Sequence, residues 1–258
     1  MTTLQLSGTT HSGRVRGRNE DAWASDRGLG LAVVADGMGG HPAGHVASRL
    51  AVDTVLDFFG NRDGGSGRDA GEDMAKAVRS ANRQILDRGR KNPEQQGMGT
   101  TLTVLRVDEE EGRYYIGHVG DSRAYLFRGQ SLTPLTRDHT PLQERVDIGL
   151  LTREEARVHP LGHVLSQALG TQTRVEPQVV DGEVRPGDLF LLCSDGLNAV
   201  LSEERIEEIL VRGLADEGEN GVAPDDLDSL GDELVEAVLD EGAPDNVTVV
   251  FVHVTESE

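Results

Sequence analysis

Two short stretches of this sequence run through apolar residues and then end at the dipeptide Asp-Gly. The first, LGLAVVA at Leu29–Ala35, leads directly to Asp36, and the second, LFLLC at Leu189–Cys193, is followed by Ser194 and Asp195. Runs of this length, rich in Val and Leu and bounded by Gly or Asp, are typical of strands. The chain is therefore predicted to deliver two carboxylates from buried strands into loops.

The rest of the pattern combines strands with helices. Segments of similar composition predict further strands at Thr101–Val107, Arg113–Val119, Arg123–Arg128 and Asn246–Val254. Apolar residues recur at helical spacing in Ala43–Phe59 and Met74–Leu86, and more weakly in Glu203–Leu210 and Asp232–Leu239. Because the strands follow one another at hairpin spacing and the helices come in pairs, we expect an α+β protein with antiparallel sheets covered by helices.

The length of 258 residues suits one large domain or at most two small ones. Two polar stretches interrupt the pattern: Gly60–Gly71 is interpreted as a flexible connector and Ala215–Asp228 as a solvated acidic loop. Neither resembles a domain boundary, so a single domain over residues 1–258 is expected. A third segment, Arg137–Gly170, has little strand pattern, and segments of this length between strands are often lids or binding insertions.

The charge of the chain limits its partners. The sequence has 45 acidic against 25 basic residues, a formal net charge of −20, so it would repel a phosphate backbone and no nucleic-acid partner is expected. No apolar run approaches the about 20 residues of a membrane-spanning helix, so no membrane partner is expected either. The single cysteine, Cys193, excludes an internal disulfide framework and suits a reducing compartment, which predicts a cytoplasmic location.

Acidic residues lie at several other predicted strand ends and turns. Besides Asp36 and Asp195, they are Glu20 and Asp21 ahead of the first apolar strand, Asp121 in a tight turn, and Asp245 just before the last strand. Any one of them alone is ordinary turn chemistry. Together they favour a site for a hard divalent cation, because carboxylates supply charged oxygen and a following glycine lets a main-chain carbonyl approach the ion.

Several other chemistries are excluded by spacing. The sequence has no G-x-x-x-x-G-K-[ST] loop, no H-E-x-x-H helix, no EF-hand loop and no G-x-S-x-G elbow. Cys193 is followed by Ser-Asp-Gly and not by a phosphate-cradling loop, so it is interpreted as a core thiol and not as a nucleophile. A water activated by metal is the nucleophile that remains.

The order and spacing of these residues resemble the PPM family of metal-dependent Ser/Thr protein phosphatases, often called type 2C, in its bacterial branch. The signature comprises G-x-x-R-x-x-N-E-D at 13–21, D-G-M-G-G-H-x-x-G at 36–44, G-T-T at 99–101, G-D-S-R at 120–123, S-D-G-L at 194–197 and D-N at 245–246. The D-H at 138–139 and L-T-x-E-E-A at 151–156 resemble elements of a mobile flap in that branch, which places a flap at about 137–170. These motifs span nearly the whole chain.

The resemblance implies a central sandwich of two antiparallel β-sheets flanked by pairs of α-helices, with metals held at one end between the sheets. It also implies two tightly bound Mn²⁺ or Mg²⁺ ions that lower the pKa of a shared water and direct it at phosphorus. By position, Asp36 bridges both ions, Gly37 offers its carbonyl, Asp195 and Asp245 hold one ion, and Glu20 and Asp21 bind the second ion or orient its waters.

Two further residues receive roles from the resemblance. Arg16 is the candidate phosphate clamp, because a guanidinium pairs with two phosphate oxygens at once, and a surface salt bridge is the alternative role. His41 is the candidate general acid that protonates the leaving oxygen. In the alternative role, His41 only forms hydrogen bonds to the residues that bind the metals. In the flap, His163 and Gln167 stand where Asn and Arg are common in bacterial relatives, so substrate contacts there are expected to differ.

Asp121 is the remaining candidate ligand. Its turn comes near Asp195 in similar proteins, and two carboxylates there would attract a third, weaker Mn²⁺ or Mg²⁺ ion. The alternative is that Asp121 caps the hairpin turn and pairs with Arg123.

The sequence thus predicts a phosphatase that acts on phosphorylated proteins and opposes a bacterial Ser/Thr kinase. Two alternatives stay open at this point: a protein that binds a phosphorylated partner without turnover, and a phosphatase dedicated to a single regulator.

Overall fold

Two sheets of antiparallel strands form the centre of the molecule. The structure is a computed structural model and describes residues 2–38, 43–61, 69–157, 159–215 and 224–256. The strands in this part of the chain are β1 (Thr2–His11), β2 (Asp21–Asp26), β3 (Leu31–Asp36), β4 (Leu102–Asp108), β5 (Arg113–Val119), β6 (Arg123–Arg128), β7 (Ser131–Pro134), β8 (Gln178–Glu183), β9 (Leu189–Cys193) and β10 (Val247–Glu256). One sheet has the order β1-β10-β9-β6-β7, and the other has the order β2-β3-β4-β5-β8.

Helices cover the outer face of each sheet. The helices of the described residues are α1 (Gly44–Gly60), α2 (Ala70–Lys91), α3 (Pro141–Asp147), α4 (Arg153–Arg157), α5 (Asp195–Asn198), α6 (Glu203–Ala215) and α7 (Pro224–Asp240), with a 3₁₀ turn at Pro93–Gln95. The pair α1 and α2 packs on the sheet that contains β3, and the pair α6 and α7 packs on the sheet that contains β10. The predicted α+β sandwich of two antiparallel sheets flanked by helix pairs is confirmed.

The strands β3 and β9 are almost entirely apolar because both of their faces are buried. In β3, Val33 packs toward α1 and α2, whereas Val34 lies in the core between the two sheets. In β9, Leu191 packs toward α6 and α7, whereas Phe190 and Leu192 lie between the sheets. Successive side chains of a strand point to opposite faces, so a strand inside a four-layer protein needs an apolar residue at every position. Burial of each such side chain contributes about 1.5–3 kcal/mol.

The structure adds four strands to those predicted, namely β1, β2, β7 and β8. It also shows that two loop predictions are wrong at their ends. The predicted acidic loop Ala215–Asp228 contains the start of α7 at Pro224, where proline suits a first helical turn and Leu227 is buried in the core. The predicted connector Gly60–Gly71 contains the start of α2 at Ala70, because the Asp69 side chain accepts a hydrogen bond from Glu72 N and caps the helix.

The segment predicted as a flap, residues 137–170, follows β7 and contains α3 and α4. Within its described residues it has no strand, in agreement with its sequence pattern. It ends where Leu169 forms an isolated antiparallel bridge with Thr100, ahead of β4. Among the described residues, no helix is both long enough and apolar enough to cross a lipid bilayer.

Candidate metal centre

Asp21 and Asp36 lie opposite each other across the hairpin of β2 and β3. Their Cα atoms are partners in the antiparallel register, at the first residue of β2 and the last residue of β3. The turn sets this register: Asp26 Oδ1 accepts a hydrogen bond from Leu29 N at 3.0 Å, and Gly30 adopts a φ of 60°, which glycine reaches without strain. Two carboxylates separated by fifteen positions in the sequence therefore meet at one end of the sheet.

The other sheet brings Asp195 to the same end. Asp195 begins the short helix α5 directly after β9, and its neighbour Ser194 donates a hydrogen bond to Asp21 Oδ2 at 2.8 Å. Thr248, on the adjacent strand β10, donates a second hydrogen bond to the same oxygen at 2.6 Å. Asp21 is thus held by hydroxyl groups from the opposite sheet, and the carboxylates of both sheets converge between them.

Asp36 is positioned through its backbone by the Gly-Thr-Thr motif. Thr101 Oγ1 accepts a hydrogen bond from Asp36 N at 2.9 Å, and Thr101 N donates to Asp36 O at 2.9 Å. Thr100 Oγ1 also donates to Asp36 O, at 2.8 Å. Thr100 is fully buried and Thr101 nearly so, so these bonds fix the main chain of Asp36 in an interior that water does not reach.

Burial and mutual repulsion raise the pKa values of all these carboxyl groups. Burial is the largest cause for Asp36, whose pKa is raised well above its usual range, and the charges of Asp21, Asp195 and Asp121 raise it further. Burial raises the pKa of Asp21 to about 7, although its hydrogen bonds to Thr248 and Ser194 oppose the shift. The pKa of Asp195 is raised by burial first and then by the charge of Asp245. Without a cation the protein therefore favours the protonated forms of these carboxyl groups, and a bound cation would allow them to ionise.

Two oxygen atoms of this cluster have no hydrogen-bond partner in the described part of the chain. They are Asp21 Oδ1 and Asp195 Oδ1, and both are inaccessible to solvent. A buried carboxylate oxygen without a partner is costly, and a cation removes that cost. Since the donors are all hard oxygens, the chemistry fits Mg²⁺ or Mn²⁺.

The carboxylates do not form a closed cage. Among the described residues, no group of three or more His, Cys, Asp or Glu side chains is arranged so that it could hold a metal ion as it stands. Asp36 and Asp195 instead lie close enough to share a proton, and Asp245 forms an ion pair. This arrangement fits ions held by one or two carboxylates each, as Mg²⁺ usually is in proteins, with waters completing the coordination.

Gly37 follows Asp36 and leaves no space for a side chain. A Cβ at this position would lie 2.5 Å from the carbonyl carbon of Gly44 and 2.6 Å from Glu20 O. The N-terminus of α1 therefore packs directly against the Asp36 loop. Besides the expected role of its carbonyl, Gly37 thus has close backbone packing as a second reason for being glycine.

Arg16 lies at the rim of the cluster. Its guanidinium forms an ion pair of 2.6 Å with Asp245 Oδ2, and its side chain is 46% exposed. The hydrogen bond to Asp245 is the largest cause of the raised pKa of Arg16, to which the charges of Asp195 and Asp36 also contribute. The guanidinium is therefore fixed at one end and accessible to solvent beside the carboxylates.

Asn246 organises the site and was not identified as a functional residue from the sequence. Its Oδ1 accepts a hydrogen bond from Glu20 N at 2.9 Å, and its Nδ2 donates to Ser12 O at 2.9 Å and to Arg18 O at 3.0 Å. A side chain that is only 5% exposed thus ties the loop carrying Arg16 and Glu20 to the start of β10. The only signal in the sequence is its position next to Asp245.

Asp121 is buried and close to Asp195. Burial raises its pKa well above the usual range, and the charge of Asp195 is the next largest cause. Arg123, the partner that the alternative role required, instead forms a bidentate ion pair with Asp138, at 2.8 Å for both contacts. Within the described residues, no hydrogen bond or ion pair joins Arg123 to Asp121.

His139 connects the flap to the Asp121 turn. Its Nδ1 lies 3.1 Å from Gly120 N, and its own N donates to Gly120 O at 2.7 Å. Its ring stacks on that of His118, with centroids 5.1 Å apart. His118 is fully buried, and burial lowers its pKa to about 3.

The remaining predicted residues lie apart from the cluster or outside the described residues. Glu20 Oε1 is 3.8 Å from His45 Nδ1, and the Glu20 side chain is partly exposed. His41, the candidate general acid, lies outside the described residues. In the flap, Gln167 Oε1 accepts a hydrogen bond from Glu176 N, and His163 is exposed.

Comparison with known proteins relates this geometry to a known family. The sequence matches the family model described as Protein phosphatase 2C over residues 8–235. It is similar to the serine/threonine protein phosphatase PstP of Mycobacterium tuberculosis, with 39% identity over 253 residues, 98% of this chain and 45% of PstP. The chain thus spans about half the length of that relative. It is also similar to protein phosphatase PhpP of Streptococcus pneumoniae, with 32% identity over 99% of each chain.

Solved structures resemble the whole chain. One is the catalytic domain of serine threonine protein phosphatase PstP in complex with two manganese ions, with a TM-score of 0.83, 36% identity and coverage of 99% and 100% of the two chains. Another is the serine/threonine phosphatase Stp1 from Staphylococcus aureus, with a TM-score of 0.86, 31% identity and coverage of 99% and 96%.

Proposed function

The chain belongs to the protein phosphatase 2C family, and we propose that it hydrolyses phosphoserine and phosphothreonine in proteins with two divalent cations, Mn²⁺ or Mg²⁺. One observation carries this proposal: carboxylates from both sheets converge in the protein interior, with raised pKa values and two oxygens that have no partner in the described chain. A cluster of this kind is stable at neutral pH when cations offset its charge.

The ligand assignment follows the placement of these residues. Asp36 would be shared by both ions, with the Gly37 carbonyl beside it, Asp195 and Asp245 on one ion, and Glu20 and Asp21 toward the other. Ions bound in this way lower the pKa of a water and offset the charge of phosphoryl oxygens.

The protein supplies the remaining functions through its own side chains. Arg16, held by Asp245 at the rim, binds two oxygens of the phosphoryl group and orients it toward the carboxylates. His41 donates a proton to the leaving seryl or threonyl oxygen. The threonine hydroxyls on Asp36 and the hydroxyls on Asp21 keep the carboxylates in place, so little reorganisation is needed during the reaction.

A weaker third ion at Asp121 and Asp195 is part of this proposal. It is supported by the burial of Asp121, by its electrostatic coupling to Asp195 and by the pairing of Arg123 with Asp138. Asp121→Asn should remove the weak phase of an Mn²⁺ titration by calorimetry and lower turnover at saturating Mn²⁺, while the tight phase remains. An unchanged weak phase and unchanged kcat would leave Asp121 as a turn residue.

The proposal also includes the domain organisation, the substrates and the cellular location. Residues 1–258 are proposed to act as one catalytic domain with a flap at about 137–170, on substrates phosphorylated by a bacterial Ser/Thr kinase. The single cysteine, Cys193, which is fully buried, agrees with the proposed cytoplasmic location because no disulfide is required.

The proposal is tested by phosphate release from p-nitrophenyl phosphate and from a phosphothreonine peptide. Activity should depend on Mn²⁺ or Mg²⁺, disappear in EDTA and return when the metal is restored. Asp53→Asn is a suitable control, because Asp53 is exposed on α1. Full activity in the chelator would contradict the proposal, and phosphopeptide binding without release would identify a binding protein instead.

A further inference from the structure

A cavity of about 330 Å³ lies on the outer side of α2, away from the carboxylates. It is bounded by the second half of α2 and by residues 173–176, which follow the flap. Its volume is at the lower end of the range for small-molecule sites in proteins. Four of its lining residues are arginines: Arg79, Arg83, Arg90 and Arg174.

These arginines outnumber the carboxylates of the cavity two to one. The two acidic residues that line it are Asp87 and Glu176. Arg90 lies 3.1 Å from Asp87, and Arg79 is 3.9 Å from Glu176, which is a loose contact. A local excess of positive charge is unusual in a chain with a net charge of −20.

Arg83 and Arg174 have no carboxylate partner among the described residues. Within the described part of the chain, neither guanidinium has an ion pair with an acidic residue, and both side chains are exposed to solvent. Each can therefore present its planar fork of donors to an external oxyanion without breaking an existing pair.

The floor of the cavity is rigid and connects it to the metal centre. Asn82, only 3% exposed, donates to Gln172 O at 3.0 Å and accepts from Gly170 N at 2.7 Å. The preceding residue, Leu169, exchanges two backbone hydrogen bonds with Thr100, whose hydroxyl donates to Asp36 O. The segment that forms one wall of the cavity thus continues directly into the structure that positions Asp36.

We propose that this arginine pocket is a second anion-binding site, separate from the catalytic centre, that takes a ligand carrying phosphoryl or carboxylate groups. Such a ligand has two sources: a free phosphorylated small molecule, or an acidic or phosphorylated segment of a bound substrate protein. Both present oxyanions to Arg83 and Arg174. Binding does not depend on the proposed catalytic activity, so the site can be tested without turnover.

The first experiment measures binding of inorganic phosphate to the metal-free protein in EDTA by NMR at constant ionic strength. The backbone amides of residues 173–176 should shift in a saturable manner in the wild type. In the double variant Arg83→Gln/Arg174→Gln, the affinity should fall by about tenfold or more. The matched control is Arg88→Gln on the same helix, because Arg88 bonds to Gln95 and does not line the cavity.

Non-saturable shifts in the wild type, or equal affinity in the wild type and the double variant, would overturn the proposal. Loss of affinity in the Arg88→Gln control as well would also overturn it, because the effect would then reflect overall charge. Saturable binding that only the double variant loses supports a specific site.

Two further measurements on the metal-loaded protein distinguish the sources. If substrate segments occupy the pocket, the double variant should raise the KM for a phosphopeptide with an acidic tail and leave the KM for the same peptide with a neutral tail unchanged. If free anions occupy it, sulfate replacing chloride at constant ionic strength should change the kcat of the wild type and not that of the double variant. Either result supports the site.

Discussion

The carboxylate cluster and the flap lie next to each other in the molecule and are built in opposite ways. The side chains of Asp21 and Asp36 are half-buried, and hydrogen bonds with buried threonine and serine groups fix the backbone of Asp36 and one carboxylate oxygen of Asp21. The flap has two short helices, and α4 buries none of its side chains. Its exposed apolar residues include Ile148 at 71%, Leu150 at 69%, Leu161 at 51% and Val164 at 38%.

The difference suits the two regions to different tasks: the carboxylate cluster to the proposed chemistry, and the flap to the proposed recognition of substrates. Carboxylates that must hold ions are placed where several elements determine their position, so their geometry does not depend on the substrate. The flap is attached mainly near its two ends, through the Arg123–Asp138 ion pair, the contacts of His139 with Gly120 and His118, and the Thr100–Leu169 bridge. Its free surface is available to adapt to proteins of different shape.

The largest effect is expected from the cluster itself. Asp36→Asn should lower kcat by about a thousandfold or more, because it removes a charged ligand from both ions. The variant should stay folded, and in EDTA its melting temperature should rise, because the variant removes the cost of placing a carboxyl group with a strongly raised pKa in the folded state. Turnover of p-nitrophenyl phosphate measures kcat, and thermal unfolding followed by circular dichroism measures the melting temperature. Retained activity would contradict the assignment of Asp36 as a ligand shared by both ions.

A second prediction divides binding from proton transfer. Arg16→Ala should raise KM by about ten- to a hundredfold, because the phosphoryl group loses two charge-assisted hydrogen bonds. His41→Ala should mainly lower kcat, and more for a phosphothreonine peptide than for p-nitrophenyl phosphate, whose leaving group needs no proton. An equal loss with both substrates would remove His41 from the role of general acid.

Asn246 tests whether the rigidity of the cluster depends on a group that is not a ligand. Asn246→Ala leaves Glu20 N, Ser12 O and Arg18 O without a partner and should cost about 2–4 kcal/mol of unfolding free energy. Urea denaturation measures the cost. As a control, Asn92→Ala removes only a partly exposed bond to Arg88 O and should cost much less; similar losses in the two variants would contradict the prediction.

The pH dependence of the metal-free protein reports the buried charge. The folded-state pKa of Asp21 is about 7, above its unfolded value of about 3.9, so folding binds a proton between these values and stability falls as pH rises through that window. In EDTA, the unfolding free energy of Asp21→Asn should therefore increase relative to that of the wild type as the pH rises from about 5 to about 7.5. A difference in unfolding free energy between the two proteins that does not vary with pH would contradict the raised pKa of Asp21. Because both proteins contain the same histidines, the titration of histidines cancels in this comparison.

The smallest effects are expected in the flap. Ile148→Ser/Leu150→Ser should change stability by less than about 0.5 kcal/mol, because both side chains are exposed. Turnover of p-nitrophenyl phosphate should stay unchanged, while KM for a phosphoprotein should rise about three- to tenfold as apolar contacts are lost. Val179→Ser, an exposed apolar position outside the flap, should change neither value.

The sequence predicts best where burial is complete. β3, β9 and β10 are recognisable because their residues are apolar on both faces, and the acidic residues that follow or precede them were identified for the same reason. β1 was missed because it is rich in Thr and mostly half-buried, so it lacks an apolar run. Its strand character depends on pairing with β10, which local composition does not contain.

Contacts between distant residues explain what the sequence could not predict in the site. The register that places Asp21 opposite Asp36 is a property of a folded hairpin, and the three bonds of Asn246 join segments more than two hundred residues apart. The choice of Asp138 over Asp121 as the partner of Arg123 likewise depends on where the flap returns to the sheet. Residue type alone carries none of this information.

The position of β10 has a consequence for synthesis of the protein. This strand follows all the others in the sequence, yet it lies between β1 and β9, pairing with β1 from Thr2↔Glu256 to His11↔Val247. Until residues 245–256 have emerged from the ribosome, a nascent chain therefore lacks the strand that joins β1 to β9, together with Asp245 and the hydroxyl of Thr248. Such long-range pairing slows folding. A chain that ends before this strand is therefore expected to lack the proposed phosphatase activity.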